Sequence, residues 1–360
     1  MPFFIVKVTV MDKKKEFKTI HDVGYTTLMN KLNRFEGKIH DDQVTGKGEA
    51  CSVWEAEKDS NICLLQTSGI WLEGVHFDLV YTPLKHLGYK MVMAVVHNIS
   101  SMNGEPHHLE LDLAVPNKIS VEMLQEIFRG ADTAAKDCGC SLRPGEVTAS
   151  RQLLAISAHV TGKADKVSLV MRKGASTGDQ ICVSGDLGGA FAGLRILLRE
   201  KKAWQESGTD YFQPDLEKYE YVVGRQLMPS ARYDMPKAFE ESGVKPTAMI
   251  HIKQGLLNEL QQMSEAGGSG FEIFTPALPI ALETRHVADE MKEDVDRYAF
   301  YGGEDFELLF TLRPEEVEKL RSEFEDFTVI GEVKPENEGI RLVTGEGKQI
   351  DLSELENQMK

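Results

Sequence analysis

The stretch Tyr301-Gly302-Gly303-Glu304-Asp305-Phe306-Glu307-Leu308-Leu309-Phe310 constrains the fold of this chain more than any other. Two adjacent glycines permit a tight turn or a close approach to another group, and two acids follow at once. The apolar run after them reads as a buried strand. The sequence therefore predicts a strand of a covered sheet with an acidic mouth at its entrance. Glycine-bearing segments recur upstream: Gly74-Val75-His76-Phe77-Asp78, Leu87-Gly88-Tyr89-Lys90, Met102-Asn103-Gly104, Arg172-Lys173-Gly174-Ala175 and Gly185-Asp186-Leu187-Gly188-Gly189.

Between these segments the pattern alternates. Leu28, Leu32 and Phe35 stand at helical spacing and predict one amphipathic helix before the first domain. Residues 62–66 read as a buried strand, and 109–115 alternate as a half-exposed one. The apolar run 91–99 fits either strand or helix. Ser120-Val121-Glu122-Met123 starts a helix that Gly139 ends, and 153–161 form a further strand. The pattern then restarts: strand 180–184, a glycine-rich turn, helix 190–200, and a polar surface excursion over 203–218. Strands 247–252 and 271–274 flank a helix over 255–263, and strands 306–311 and 328–332 close the series. Mixed strands and helices, run twice, argue two α+β domains. The boundaries read are 1–44 for an N-terminal extension and helix, 45–163 and 164–345 for the two domains, and 346–360 for a tail.

The chain's 360 residues suffice for two ordinary domains, each with its own core. A formal net charge of −16 repels nucleic acid and anionic lipid, so neither is expected as a partner. No window approaches a membrane span. The apolar start Phe3-Phe4-Ile5-Val6-Lys7-Val8-Thr9-Val10 contains a lysine and follows no basic region, so it reads as a strand or an extension, not a signal peptide. Five scattered cysteines, with Cys138-Gly139-Cys140 too tight for a zinc half-site, read as reduced thiols in a cytoplasmic protein.

In order and spacing, the glycine-bearing segments resemble those of thiamine-monophosphate kinase, of the aminoimidazole-ribotide-synthetase-like (PurM-like) superfamily, from about residue 45 to residue 335. The resemblance implies an α/β (α+β) PurM-like two-domain fold, with N-terminal domains pairing into a dimeric β-barrel and a C-terminal α/β domain outside. It also implies ATP and a small phosphorylated metabolite as ligands, in a homodimer or in a heterodimer with an active paralogue. Nucleotide contacts fall on Lys47, Gly48, Gly145, Glu146 and Arg172. Substrate contacts fall on Gly74, His76, Phe77, Gly302, Gly303, Glu304 and Asp305. By itself, His76 reads first as a hydrogen-bonded core histidine, and the resemblance sets a phosphate donor beside that reading on equal terms.

Transfer of a phosphoryl group from ATP needs positioning and cations, and magnesium takes oxygen ligands. The family's metal-binding aspartates are where the likeness breaks. Its Gly-x-Gly-Asp-Asp motif falls on Gly46-Lys47-Gly48-Glu49-Ala50, with Asp41-Asp42 as an alternative placement. Its later aspartates fall on Gly69, Asn98, Glu146, His251 and Gln254. Two glutamates, Glu49 and Glu146, remain as candidate metal ligands, each a methylene longer than aspartate. That is about 1 Å or more of displacement against a 2.1 Å coordination sphere. The expectation is a diverged, catalytically impaired homologue that keeps a ligand pocket. The alternative is an active ATP-dependent thiamine-phosphate kinase using Glu49 and Glu146 for magnesium. Magnesium is the cofactor if the protein is active, and none is needed otherwise. The chain also lacks the Gly-aromatic-x-His-Phe ending common in the family, which removes a stacking surface for the thiamine rings.

Overall fold

A computed structural model of the chain describes residues 18–32, 41–44, 48–209 and 213–352. Met1–Gln43 and Val44–Lys360 form separate compact units. In the first unit, Thr19 caps helix α1 (Ile20–Val23). Its side chain accepts the Asp22 N–H, and the Asp22 carboxylate accepts the Thr19 N–H at 2.7 Å. Gly24, at φ 75°, separates α1 from α2 (Tyr25–Leu32), which carries Leu28 and Leu32 of the predicted helix. Phe35 and the apolar start over 3–10 lie outside the described residues.

The second unit contains two sheets. The N-terminal sheet comprises β1 (Ser52–Glu55), β2 (Ile62–Leu72), β3 (Glu105–Pro116), β4 (Ser141–Ser150) and β5 (Ala155–Asp165), in the order β1-β2-β5-β3-β4. Only β3 and β4 run parallel. Helices α3 (Leu84–Ser100) and α4 (Val121–Asp137) cover one face. The run 91–99, open between strand and helix in sequence, is the middle of α3. It is apolar all round because α3 lies between the sheet and α4. The other face of β2 leaves Ile62, Leu64 and Ile70 exposed.

The C-terminal sheet has the order β12-β11-β8-β10-β6-β9-β7. Its strands are β6 (Gln180–Ser184), β7 (Ala248–Ile252), β8 (Ser269–Phe274), β9 (Glu307–Leu312), β10 (Phe327–Pro335), β11 (Ile340–Val343) and β12 (Gln349–Asp351). Around them lie α5 (Gly189–Ser207), α6 (Glu220–Leu227), α7 (Met235–Ser242), α8 (Leu256–Gly267), α9 (Leu282–Met291), α10 (Val295–Tyr301) and α11 (Pro314–Arg321). Apolar layers cover both faces of the central strands. Ile181, Val183 and Leu309 point into one layer, and Cys182, Leu308 and Phe310 into the other. This is why β9 reads as a continuous apolar run instead of an alternating one.

Two expectations are corrected. The excursion predicted over 203–218 begins later, since α5 continues to Ser207 through the helix-favouring run Glu200-Lys201-Lys202-Ala203. It also ends in a 3-10 turn, Glu217–Tyr219, that buries Tyr219 beneath Arg199 and Lys218. Within the segment read as a tail, β12 pairs with β11. Residues 353–360 lie outside the described residues.

Candidate functional site: a charged cluster around Arg172

Three segments meet around Arg172. The Glu49 carboxylate, before β1, accepts the Arg172 backbone N–H at 3.2 Å. The Arg172 guanidinium donates to Gln262 Oε1 at 2.8 Å, and Gln262 donates to Glu259 Oε2 at 2.8 Å. The other oxygen of Glu259 accepts the N–H groups of Lys253 and Gln254, at 3.3 and 3.0 Å, in the turn that links β7 to α8. A relay of hydrogen bonds thus ties Arg172 to that turn. Burial pushes the Glu49 and Glu259 carboxyls up, against the pull of Arg172.

Two buried imidazoles stand beside this relay. His251 and His97 meet edge to face, with ring centroids 5.6 Å apart. His97 Nδ1 lies 2.6 Å from the Ala231 carbonyl oxygen, and its Nε2 lies 3.1 Å from that of Glu307. Burial lowers the His97 pKa to about 4. It pulls His251 well below the ordinary histidine range, helped by His97, Arg172 and Lys253. Next to His97 on α3, the Asn98 amide donates to Thr67 Oγ1 at 3.1 Å, and the Cys51 thiol donates to the Asn98 carbonyl.

The Gly302-Gly303 segment runs against the same turn. Glu304 N–H donates to the Lys253 carbonyl at 2.9 Å, and Phe306 N–H donates to that of Ile252. Positive φ falls on Glu304 (67°) and Phe306 (53°), while Gly302 keeps a φ of −66°. The glycines serve close approach, since a Cβ on Gly302 would lie 2.2 Å from the Tyr298 carbonyl oxygen. Gly302 also lines a cleft of about 380 Å³ with Phe191, Tyr298 and Arg297. The Glu304 carboxylate pairs with Lys90 at 2.7 Å, and Lys90, itself buried, also donates to the Gln226 carbonyl.

Asp305 corrects the expected acidic mouth. It is fully buried, and its two oxygens accept the N–H groups of Gly188 and Ala190 at 2.8 and 3.1 Å, at the start of α5. The glycine-rich turn does meet an acidic group there, and that group is the chain's own buried carboxyl. Glu307 is also buried, bracketed by Arg225 at 2.9 Å and Arg232 at 3.5 Å, and accepts from Ser184.

Two family models match the chain: AIR synthase related protein, N-terminal domain, over residues 48–164, and its C-terminal domain over 176–343. Thiamine-monophosphate kinase of Aquifex aeolicus is 30% identical over 288 residues, which is 80% of this chain and 86% of that protein. The chain belongs to the thiamine-monophosphate kinase family. The Bacillus subtilis thiamine-monophosphate kinase is 29% identical over 86% of both chains. Among solved structures, AaThiL complexed with AMPPCP and TMP is 25% identical and superposes with a TM-score of 0.77, covering 93% of this chain and 97% of that one. The fold is the mixed α/β two-domain PurM-like fold.

Against the family pattern, the structure gathers Glu49, Thr67, Asn98 and His251 from four separate motifs into one neighbourhood. The Cys51–Asn98 contact places the 48–51 segment beside α3. Lys47 lies outside the described residues, and Gly48 sits exposed in a turn at φ 87°. Glu146 stands apart on the edge strand β4, exposed, its N–H donating to Asp112 at 2.8 Å. At Gly145 a Cβ would come within 2.2 Å of that same Asp112 carboxylate, so this glycine makes room for β3. His76 is exposed and accepts the Leu72 N–H at its Nδ1, which removes the core-histidine reading. Gly74 turns at φ 79°, and Phe77 is buried beneath the loop.

Among the described residues, no three His, Cys, Asp or Glu side chains form a set able to hold a metal ion. Ala50 and Gly69 offer no side-chain donor, Asn98 offers a neutral amide oxygen in place of a carboxylate, and His251 lies beside two cations. A multi-magnesium centre does not fit this donor set. Sequence reading missed Glu259, which no motif marks. It also missed the roles of Arg232 and of Lys90, although Lys90 lies in a segment that follows the family pattern.

Proposed function

We propose that this chain is a thiamine-monophosphate-kinase-like protein that has lost the phosphotransfer centre and keeps a binding pocket for a phosphorylated small molecule. The observation that carries the reading is the donor set around Arg172. Where the family resemblance puts seven metal-binding aspartates, this chain has two glutamates, an alanine, a glycine, an asparagine, a histidine and a glutamine. Phosphoryl transfer depends on cations held against the phosphate oxygens, and these side chains supply few oxygens to hold them. The role left is binding or regulation, exercised as a homodimer or with an active paralogue.

The test is formation of ADP and thiamine diphosphate from ATP and thiamine phosphate at saturating magnesium, followed by mass spectrometry beside a thiamine-monophosphate kinase control. The expected result is no turnover above background. Turnover within a hundredfold of the control, about 2.7 kcal/mol in barrier, would restore the kinase with Glu49 and Glu146 as magnesium ligands.

A further inference from the structure

The positions that would hold metal have not simply become inert. His251 stands near the end of β7 and Lys253 in the turn after it, both close to Arg172, which Lys173 follows in sequence. Three cations, Arg172, Lys173 and Lys253, therefore face two carboxylates, Glu49 and Glu259. Glu259 is turned inward, its oxygens taken by the Lys253 and Gln254 N–H groups and by Gln262. Glu49 is bound to the Arg172 backbone. A divalent cation entering here would meet a net positive field. A phosphate would meet an attractive one.

A second, independent observation comes from atoms without partners. The Nδ1 of His251, a residue 8% exposed, and the buried Nε of Arg172 have no hydrogen-bond partner among the described residues. Buried polar atoms in native proteins are nearly always paired, so unpaired ones need a reason. The two residues lie close enough for the Arg172 charge to act on His251. Guanidinium N–H and imidazole N–H are donors suited to phosphate oxygens. Lys253 is exposed at the rim, free to swing onto a second oxygen.

We infer that this pocket binds the phosphate of a small phosphorylated ligand directly, without a divalent cation, through Arg172, Lys253 and His251. The inference rests on the reading that the phosphotransfer centre is lost. It goes further, because loss of the metal positions alone would leave a pocket unable to hold phosphate. Here the cation that a metal would supply is built into the chain. The ligand class is a phosphate monoester or polyphosphate, and a nucleotide or thiamine phosphate could each present it.

Isothermal titration of the full chain with ATP, and separately with thiamine phosphate, tests this in low-salt buffer with EDTA and again with magnesium. At least one ligand is expected to bind in EDTA within about threefold of its affinity in magnesium. Lys253→Ala and Arg172→Gln should each weaken that binding tenfold or more. Lys253 is exposed, so its variant keeps the test intact should the Arg172 variant misfold. Binding that requires magnesium, binding indifferent to Lys253→Ala, or no binding of either ligand would overturn the inference. Turnover measured in the same magnesium samples speaks to the loss of catalysis, and binding in EDTA speaks to the phosphate site alone.

Discussion

Asp305 shows how far a single carboxylate can be from the role its motif advertises. Both oxygens lie against the first N–H groups of α5, where a helix favours negative charge. Burial nevertheless raises its pKa to about 7, with Arg225 pulling the other way. The folded state therefore holds a proton that the unfolded chain, titrating near 3.8, has already released. Stability from this group is complete below the unfolded value and is lost as pH rises towards 7 and through it. Comparing wild type with Asp305→Ser by urea denaturation from pH 4 to pH 8, the wild type's advantage should shrink steadily with pH. A constant difference would mean that the carboxylate is ionised throughout. The sequence made the glycine pair and the entry to β9 legible. It could not tell which acid goes inward, because that depends on positive φ at Glu304 and Phe306, and neither residue favours such a conformation. Glu304 stays at the rim on Lys90, and Asp305 is swung beneath it.

At the scale of elements, the crossing of α3 and α4 depends on two glycines. A Cβ on Gly88 would lie 1.9 Å from the Ile127 carbonyl oxygen, and one on Gly130 would lie 1.8 Å from that of Lys85. The two backbones touch at both points, so Gly88→Ala must force the helices apart. A cost of about 1–3 kcal/mol is expected in denaturant unfolding. Gly224, in the middle of α6, has nothing within 4 Å of the corresponding Cβ. Gly224→Ala should therefore stabilise, by about 0.5–1 kcal/mol. Equal effects from the two substitutions would contradict the packing described. Strands β6 and β9 were legible because both are buried on both faces and carry few polar residues, whereas β1, β4, β11 and β12 went unread. The identity of α3 was not open to periodicity, because a helix enclosed on every side shows none. Glu259 was invisible for a related reason: a buried acid in α8 is recognisable only from the turn whose N–H groups it accepts.

For the whole molecule, the N-terminal sheet carries the clearest demand for a partner. Its uncovered face exposes Ile62, Leu64 and Ile70 along β2, with Ile70 66% exposed, and β4 forms an edge with no further strand beside it among the described residues. Exposed apolar rows beside an open edge invite pairing, and monomers generally blunt them with charge. Pairing two such sheets would bury these side chains, worth about 1.5–3 kcal/mol for each fully covered aliphatic group. It would also leave the opposite face, packed on α3 and α4, undisturbed. The chain is thus expected to sediment as a dimer at micromolar concentration. The double variant Leu64→Lys/Ile70→Lys should sediment as a folded monomer with unchanged circular dichroism, because neither residue contributes to the buried core. A wild-type monomer would remove the paired sheet from this protein. A variant that stays dimeric would move the interface to another surface. Because Arg172, Lys253 and His251 belong to a different part of the chain, the dimeric state and phosphate binding can be measured independently in the same variant.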